Sequence, residues 1–451
     1  MEAQKKPMFF KDDHFYDADP AIAEILAKEK KRQQEGIVLI ASENYTSRGV
    51  LELAGSLFHN KYAEGYPGAR YYGGTQFVDE VENLAIERTL KAFGLSAEEW
   101  GVNVQPLSGS PANFEVYTAM IGPGGKIMGL YLPDGGHLTH GFEREDKKIS
   151  ATSVYFQSKP YYVIEETGLI DYDRLEKDAE EFKPNLIIAG HSAYAQELDY
   201  KRFKDIANKV GAKLLCDVAH IVGLIATGEA ASPFEFADVV TYTTHKILRG
   251  PRGGVIVFRK EYEKDINFAV FPMHQGGPHM NSVAALAYQM REVCSEEYRA
   301  YAKQVRANAN KIAECLIARG YKVATGSTVN HLLLWDLRPL GLTGSKMEKV
   351  LEAINIYLNK NSIAGDKSAM TPGAVRIGTP AVTTRGMKEP EMELIVDIMA
   401  RAVKVALDVQ EKTGKKVVDF LKGLEGNEEI AKLNTEVLAL TAQFDIPGAL
   451  Y

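Results

Sequence analysis

The sequence predicts an α/β protein, with a large domain on a mostly parallel central sheet followed by a smaller α+β domain. Three observations carry that expectation. Short apolar runs alternate with amphipathic stretches through the middle of the chain; one strand–helix–strand unit is legible residue by residue; and the pattern changes after residue 280. At 451 residues and 45% hydrophobic, the chain has apolar material for two cores.

The elements follow in order. Asp19 is an N-cap and Pro20 sits at N1, ahead of Ile22, Ile25 and Leu26 in a charged frame that ends before Gly36. Residues 1–35 are therefore expected to form an arm and a helix. Asn185–Gly190 predicts a buried strand. Asp199–Val210 predicts a helix with Phe203, Ile206 and Val210 on one face and Gly211 at C′, and Lys213–Asp217 predicts the next strand. A helical crossover of this kind implies parallel strands covered on both faces. Asp238–Thr243 and Gly254–Phe258 add two more strands and complete a large domain over 36–285. A long helix over Glu296–Arg319, then Tyr321–Ala324, His331–Leu337 and further helix, makes a small domain over 286–451.

Composition excludes several classes. Lys and Arg number 53 against 60 Asp and Glu, a net charge of −7. Without a basic stripe, nucleic acid is not an expected partner. No apolar run approaches the ~18 residues of a membrane span. Three cysteines make neither a disulfide framework nor a metal knuckle, and they suit a reducing compartment, with Cys216 read as an inert buried thiol. Met1–Tyr16 mixes Lys with Asp and has no apolar signal core, and Pro447–Tyr451 matches no retention address, so the expected location is cytoplasmic.

Chemistry concentrates in a few segments. Ser108-Gly109-Ser110-Pro111 opens a helix, with Pro111 expected at N1. Its unpaired N–H groups suit a phosphate, while a plain serine cap is the alternative. Asp217 ends a buried strand where open sheets bind ligands, or it caps the next helix. Lys246 follows the strand ending at Thr243 and precedes Gly-rich backbone. It suits a Schiff-base amine if burial lowers its pKa, or it is a solvated charge. His137 and His140 follow Gly135-Gly136. A zinc pair is discounted for want of further ligands, which leaves ring stacking by His137 or a core histidine. Arg376 in an apolar run requires an anion, either a substrate carboxylate or an internal acid. An anion cup, a strand-end acid and a strand-end amine together meet the needs of pyridoxal phosphate.

The stretches Leu39–Tyr45, Asn60–Gly74, Ser108–Asn113, Gly135–Gly141, Thr243–Lys246 with Gly250–Gly253, Gln275–Pro278, Asn359–Asn361 and Arg376–Ala381 resemble the serine hydroxymethyltransferases. Phe142–Tyr161 resembles the eukaryotic branch. The resemblance spans residues 20–445 and implies the aspartate-aminotransferase-like fold (fold type I) of pyridoxal-phosphate enzymes. It further implies a homodimer or tetramer whose active sites are shared between subunits, and transfer of a one-carbon unit from serine to tetrahydrofolate, leaving glycine. It assigns Lys246 to the cofactor aldehyde, Asp217 to the pyridine nitrogen and His137 to the ring face. Ser108, Gly109, Ser110 and His245, with Gly277 from a partner, fall to the phosphate; Ser192 and His220 fall to the phenolic oxygen. Arg376 grips the substrate carboxylate, near Ser42. Glu64 handles proton transfer with Tyr62 and Tyr72 of the partner. Leu132, Gly136, Leu138, Tyr71 and Asn361 contact folate. A folate-independent aldolase would share the cofactor site, and tetrahydrofolate dependence separates the two.

Four places depart from the family's pattern. Tyr242 breaks the threonine run and is expected to add bulk beside the cofactor. His191 precedes Ser192, and Gln196 stands where arginine is common. Phe271–His274 replaces a small-residue turn, and Thr371–Ala374 replaces a Ser-Gly pair.

Overall fold

The computed structural model describes residues 13–366 and 371–448; the readings of Met1–Asp12 and Ala449–Tyr451 lie outside the described residues. After a single helical turn over Phe15–Ala18, the first long helix, α1 (Pro20–Glu35), has Asp19 as its N-cap, its side chain accepting from the Ile22 N–H, and Pro20 at its start.

Seven strands form the central sheet: β1 (Trp100–Asn103), β2 (Lys126–Leu130), β3 (Gln157–Tyr161), β4 (Leu186–Gly190), β5 (Lys213–Asp217), β6 (Val239–Thr243) and β7 (Gly254–Arg259). Their order is β1-β7-β6-β5-β4-β2-β3. Strands β4, β5 and β6 pair in parallel with Gly190, Asp217 and Thr241 in register, whereas β7 runs antiparallel to both its neighbours. Side chains alternate across these strands. Ile187, Ala189, Leu214, Cys216 and Val240 enter one hydrophobic cluster; Ile188, Leu215 and Val239 enter the cluster on the opposite face.

Helix α2 (Gln76–Phe93) and helix α3 (Gly109–Ile121) lie on these faces. The crossover helix α4 (Tyr200–Val210) begins at Asp199, whose side chain accepts from the Arg202 N–H, and ends at left-handed Gly211. Helix α5 (Met280–Val293) packs on α2, and helix α6 (Glu296–Ala318) follows it.

The small domain holds β8 (Lys322–Val323), β9 (Leu332–Asp336), β10 (Asn359–Asn361) and β11 (Ala374–Gly378), in the order β8-β9-β11-β10 with every pair antiparallel. The expected boundary near residue 285 falls inside α5, where Val283, Leu286, Ala287 and Met290 belong to the large core. The changeover lies within α6: Tyr298, Ala302 and Val305 enter the first core, and Ile312, Ala313 and Leu316 enter the second. Ile37 and Leu39 also belong to the second core, through pairing of Ile37–Val38 with Ile356–Tyr357. Propensity and periodicity do not show which of two cores a helix enters.

Candidate active site

Four strand ends of the large sheet and two strands of the small sheet converge on a cleft of about 640 Å³. Its walls include Ser42, Leu132, Gly136, His137, Leu138, Ser192, His220, Lys246, Asn361 and Arg376. The sequence-derived residues for amine, ring, carboxylate and folate contacts are thus largely brought together.

Asp217 sits at the end of β5, 8% exposed. Its Oδ2 accepts from Asn113 Nδ2 at 2.9 Å and from His140 Nε2 at 2.9 Å; its Oδ1 accepts from the Ala219 N–H at 3.2 Å. Burial opposes ionisation, but the hydrogen bonds from His140 and Asn113 outweigh it and hold the carboxyl well below the usual carboxylate range. The His137 N–H donates to His140 Nδ1 at 3.2 Å, which leaves the proton on Nε2 for Asp217. Asn113 is fixed in turn: Thr241 Oγ1 donates to its Oδ1 at 2.6 Å, and its Nδ2 also reaches Thr139 Oγ1 at 2.9 Å. The sequence reading assigned no role to Asn113, Thr139, His140 or Thr241. The available signal was alternation, which puts Thr241 and Thr243 on the same side of β6.

His137 takes its Nδ1 hydrogen bonds from within its own turn, from the Thr139 N–H at 3.2 Å and the Thr139 hydroxyl at 2.7 Å. Burial pulls it down to about 4, so the ring is neutral at pH 7. Discounting a metal for lack of a third ligand needs correction, because the fold brings Asp217 to the two histidines, with one ligand atom of each within 4.8 Å. The trio is nevertheless knitted into the hydrogen bonds just described.

Lys246 lies just beyond β6, largely buried, with its Nζ donating to Thr243 Oγ1 at 2.9 Å. Burial pulls the amine down to about 8, with Asp217 opposing. Thr243 also adjoins the anion cup: a Cβ on Gly109 would lie 2.8 Å from Thr243 Cγ2, and one on Gly254 2.5 Å from the Ser108 carbonyl oxygen. Helix α3 begins at Gly109, which puts Pro111 at N3 rather than the expected N1. Ser108 makes no side-chain cap, so the plain-cap alternative fails, and among the described residues no side chain caps the first-turn N–H groups of Gly109 and Ser110. His245 Nδ1 accepts from the Gly253 N–H at 3.5 Å, and burial pulls its ring down to about 3.

Arg376 on β11 donates from Nη1 to the Ser192 carbonyl at 2.7 Å and from Nε to Asn359 Oδ1 at 3.1 Å. Both acceptors are neutral, and among the described residues no carboxylate lies within ion-pair distance. The internal-acid alternative therefore fails. Burial lowers the guanidinium to about 10, still charged at pH 7. His220 Nδ1, on the cleft wall, and His331 Nε2 meet at 3.2 Å, and burial pushes both rings far below the usual histidine range.

A second set of expected residues does not line the cleft. The Tyr62 hydroxyl donates to Glu64 Oε1 at 3.3 Å, the Tyr62 and Tyr72 rings meet edge-on at 5.0 Å, and a Cβ on Gly277 would lie 3.2 Å from the Tyr62 ring. Tyr71 stacks edge-on against Phe271 at 5.5 Å. Arg70 anchors this patch, pairing with Asp79 at 2.8 Å and Glu82 at 2.5 Å. Gln275 ties it to the cup's approach, donating to the Gln105 carbonyl at 2.9 Å and accepting from the Leu107 N–H at 3.1 Å.

Of the four departures, Tyr242 resolves differently from expectation. Tyr242 is fully buried in the large core, its ring edge-on to Phe93 at 5.8 Å. It alternates away from Thr241 and Thr243, so it adds no bulk beside the cleft. Cys216 alternates away from Asp217 in the same manner, and burial pushes its thiol far up. His274 donates from Nδ1 to the Ala269 carbonyl at 2.8 Å and packs edge-on against Phe114 of α3. Gly373 donates its N–H to Asp366 Oδ2 at 2.9 Å.

Among the described residues, no helix is long and apolar enough to cross a membrane. The family model described as serine hydroxymethyltransferase matches residues 15–399. Serine hydroxymethyltransferase 4 of Arabidopsis thaliana is 53% identical over 448 residues, covering 96% of this chain and 95% of its own. The serine hydroxymethyltransferase of Bombyx mori is 52% identical over 453 residues, covering 96% and 97%. The mitochondrial enzyme of Schizosaccharomyces pombe is 49% identical over 452 residues, covering 96% and 93%. A buried amine, an ionised acid and an unpaired arginine in one cleft, within a match of this extent, leave one assignment: the chain belongs to the serine hydroxymethyltransferase family.

Proposed function

We propose that the cleft carries out the reversible transfer of the serine hydroxymethyl carbon to tetrahydrofolate, giving glycine and 5,10-methylenetetrahydrofolate, with pyridoxal phosphate as cofactor. The observation that carries this reading is the company Lys246 keeps: a buried amine whose pKa falls to about 8, within electrostatic reach of a carboxylate held ionised, with Thr243 between it and the start of α3.

The residues fit the cofactor. Glycine at 109 and 254 lets the start of α3 pack closely against β6 and β7, and the residues that would hold the phosphate there are Ser108, Gly109, Ser110 and His245. Lys246, partly deprotonated near pH 7, is the amine for the aldehyde. Asp217, ionised and oriented by Asn113 and His140, is the residue that would pair with the pyridine nitrogen and keep it protonated. His137, neutral, offers a ring face; Ser192 and His220 line the same wall. When bound, pyridoxal phosphate supplies a conjugated ring that delocalises the charge left by Cα–Cβ cleavage.

The chain's own residues do the rest. Arg376 keeps its charge and holds the substrate carboxylate, which fixes the amino acid's orientation. Glu64 moves the proton of the serine hydroxyl, with Tyr62 and Tyr72 beside it. These three are exposed or half-buried on a patch apart from the cleft, which supports a homo-oligomer in which one copy's patch completes the cleft of another. Leu132, Gly136, Leu138, Tyr71 and Asn361 are the folate contacts. All three cysteines are unpaired, which suits the cytosol.

The test is direct. Purified protein supplied with serine and tetrahydrofolate forms glycine and carries a visible absorbance that borohydride bleaches. Lys246→Ala loses both. Serine cleavage unchanged in that variant, or indifferent to tetrahydrofolate, overturns the reading.

A further inference from the structure

Arg376 belongs to the small domain, yet one of its two described acceptors, the Ser192 carbonyl, belongs to the large one. Ser192 lies in the loop between β4 and α4, and that loop is bound to the small domain along its length. The Tyr194 carbonyl accepts from Asn330 Nδ2 at 3.0 Å, and the Ala195 carbonyl from the Val329 N–H at 3.0 Å. The Ala195 methyl packs with Leu332 and Ala41. Toward the small domain these carbonyls accept, while the Ser192 and Ala193 N–H groups donate to the Gly135 carbonyl of the large domain at 2.7 and 3.1 Å.

Gln196 is the residue that donates back. Its Nε2 lies 3.0 Å from Ser327 Oγ, 3.1 Å from the Ser327 carbonyl and 3.1 Å from Thr325 Oγ1. The turn it holds is a constrained one. Thr325 has a φ of 61°, in the left-handed region that a β-branched residue adopts only when its surroundings impose it. Gly168 of the large domain lies against the same threonine, where a Cβ would be 3.0 Å from Thr325 Cγ2. Lys246, Asp217 and the anion cup stand on strands and helices that this clasp does not touch.

We propose that Gln196 is a positioning residue for the substrate carboxylate: by clamping the 325–327 turn, it fixes the loop whose Ser192 carbonyl sets the Arg376 guanidinium. This rests on the reading that Arg376 grips that carboxylate. Without Gln196's donors the 325–327 turn is released, the loop keeps only its bonds to Val329 and Asn330, and the Ser192 carbonyl holds the guanidinium less firmly. Ground state and transition state lose the carboxylate contact alike, so KM rises while kcat holds.

The experiment uses the holoenzyme with saturating tetrahydrofolate. In Gln196→Ala the KM for serine rises by about three- to ten-fold, kcat stays within about two-fold, and the cofactor absorbance is unchanged. Gln196→Glu, equal in shape but without donors, behaves as Gln196→Ala does. Gln196→Arg, which restores forked donors, returns KM toward the parent value. Ser327→Ala, which removes one acceptor at the surface, raises KM by a smaller factor and carries the test if Gln196→Ala does not fold. Unchanged KM in Gln196→Glu and Ser327→Ala, or a loss confined to kcat, overturns the proposal. Arg376→Lys, run in parallel, separates the two levels. A raised KM there with none in the Gln196 variants sinks only the clasp; an unchanged KM there sinks the reading of Arg376 itself.

Discussion

Two buried carboxyl groups answer to the same helix and meet opposite fates. Asp217 receives three hydrogen bonds, one of them from Asn113 of α3, and it is held ionised despite its burial. Glu115, two positions along from Asn113, is fully buried, neither of its oxygens has a partner among the described residues, and burial alone pushes it up to about 8. Depth is common to both, so depth does not decide the charge. The donors do: a buried carboxylate survives where N–H groups are aimed at it and is neutralised where none are. The site face of α3 is built for an anion, and its other face tolerates an acid that must keep its proton.

The largest expected effect comes from removing the favoured charge. Asp217→Asn should lower kcat by about 10³-fold, because the pyridine nitrogen loses its ionised partner. A steady-state assay of serine cleavage checks it, and a loss under ten-fold would show that the network around Asp217 is structural. Removing a donor comes next. Asn113→Ala should cost roughly 1–3 kcal/mol of stability and a smaller loss of kcat, since Asp217 keeps His140. Denaturant titration beside the same assay reads both.

Glu115→Leu should stabilise the protein, because an unpartnered buried carboxyl is exchanged for an apolar group. The sign with pH follows from the raised folded value. Below the ordinary carboxyl pKa both states are protonated and Glu115 costs no ionisation; as pH climbs toward about 8, only the unfolded chain ionises freely, and stability falls. The Tm advantage of Glu115→Leu should therefore widen from pH 5 to pH 8, and a constant advantage would show that Glu115 has a donor after all. The smallest effect is at Lys246. Apoprotein should capture pyridoxal phosphate faster as pH rises through about 8, and Asp217→Asn should move that midpoint lower, since the carboxylate favours the charged amine. Stopped-flow absorbance across pH 6.5–9.5 measures it.

Much of this was legible in residue order. The N-cap and N1 proline of α1, the β4–α4–β5 unit and the strand-end positions of Asp217 and Lys246 all follow from local chemistry. What escaped was orientation. Tyr242 looked like an obstruction because it follows Thr241 in sequence, yet a strand turns neighbours to opposite faces, and it lies in the core. Asn113, His140 and Thr241 escaped because their meeting at Asp217 joins four segments distant in the chain. Pairing such as that between Arg376 and the Ser192 carbonyl is likewise a property of the folded whole.

Helix α6 contributes Val305 to one core and Ile312 to the other, two turns apart on one continuous rod, while Ile37 and Leu39 enter the second core before the first has been threaded. The halves are therefore not beads on a string. Cutting the chain at a linker would strip both of side chains they need, and neither fragment should fold alone. Heated intact, the protein should lose both in one calorimetric peak, with any hinge motion pivoting about the rod rather than breaking it.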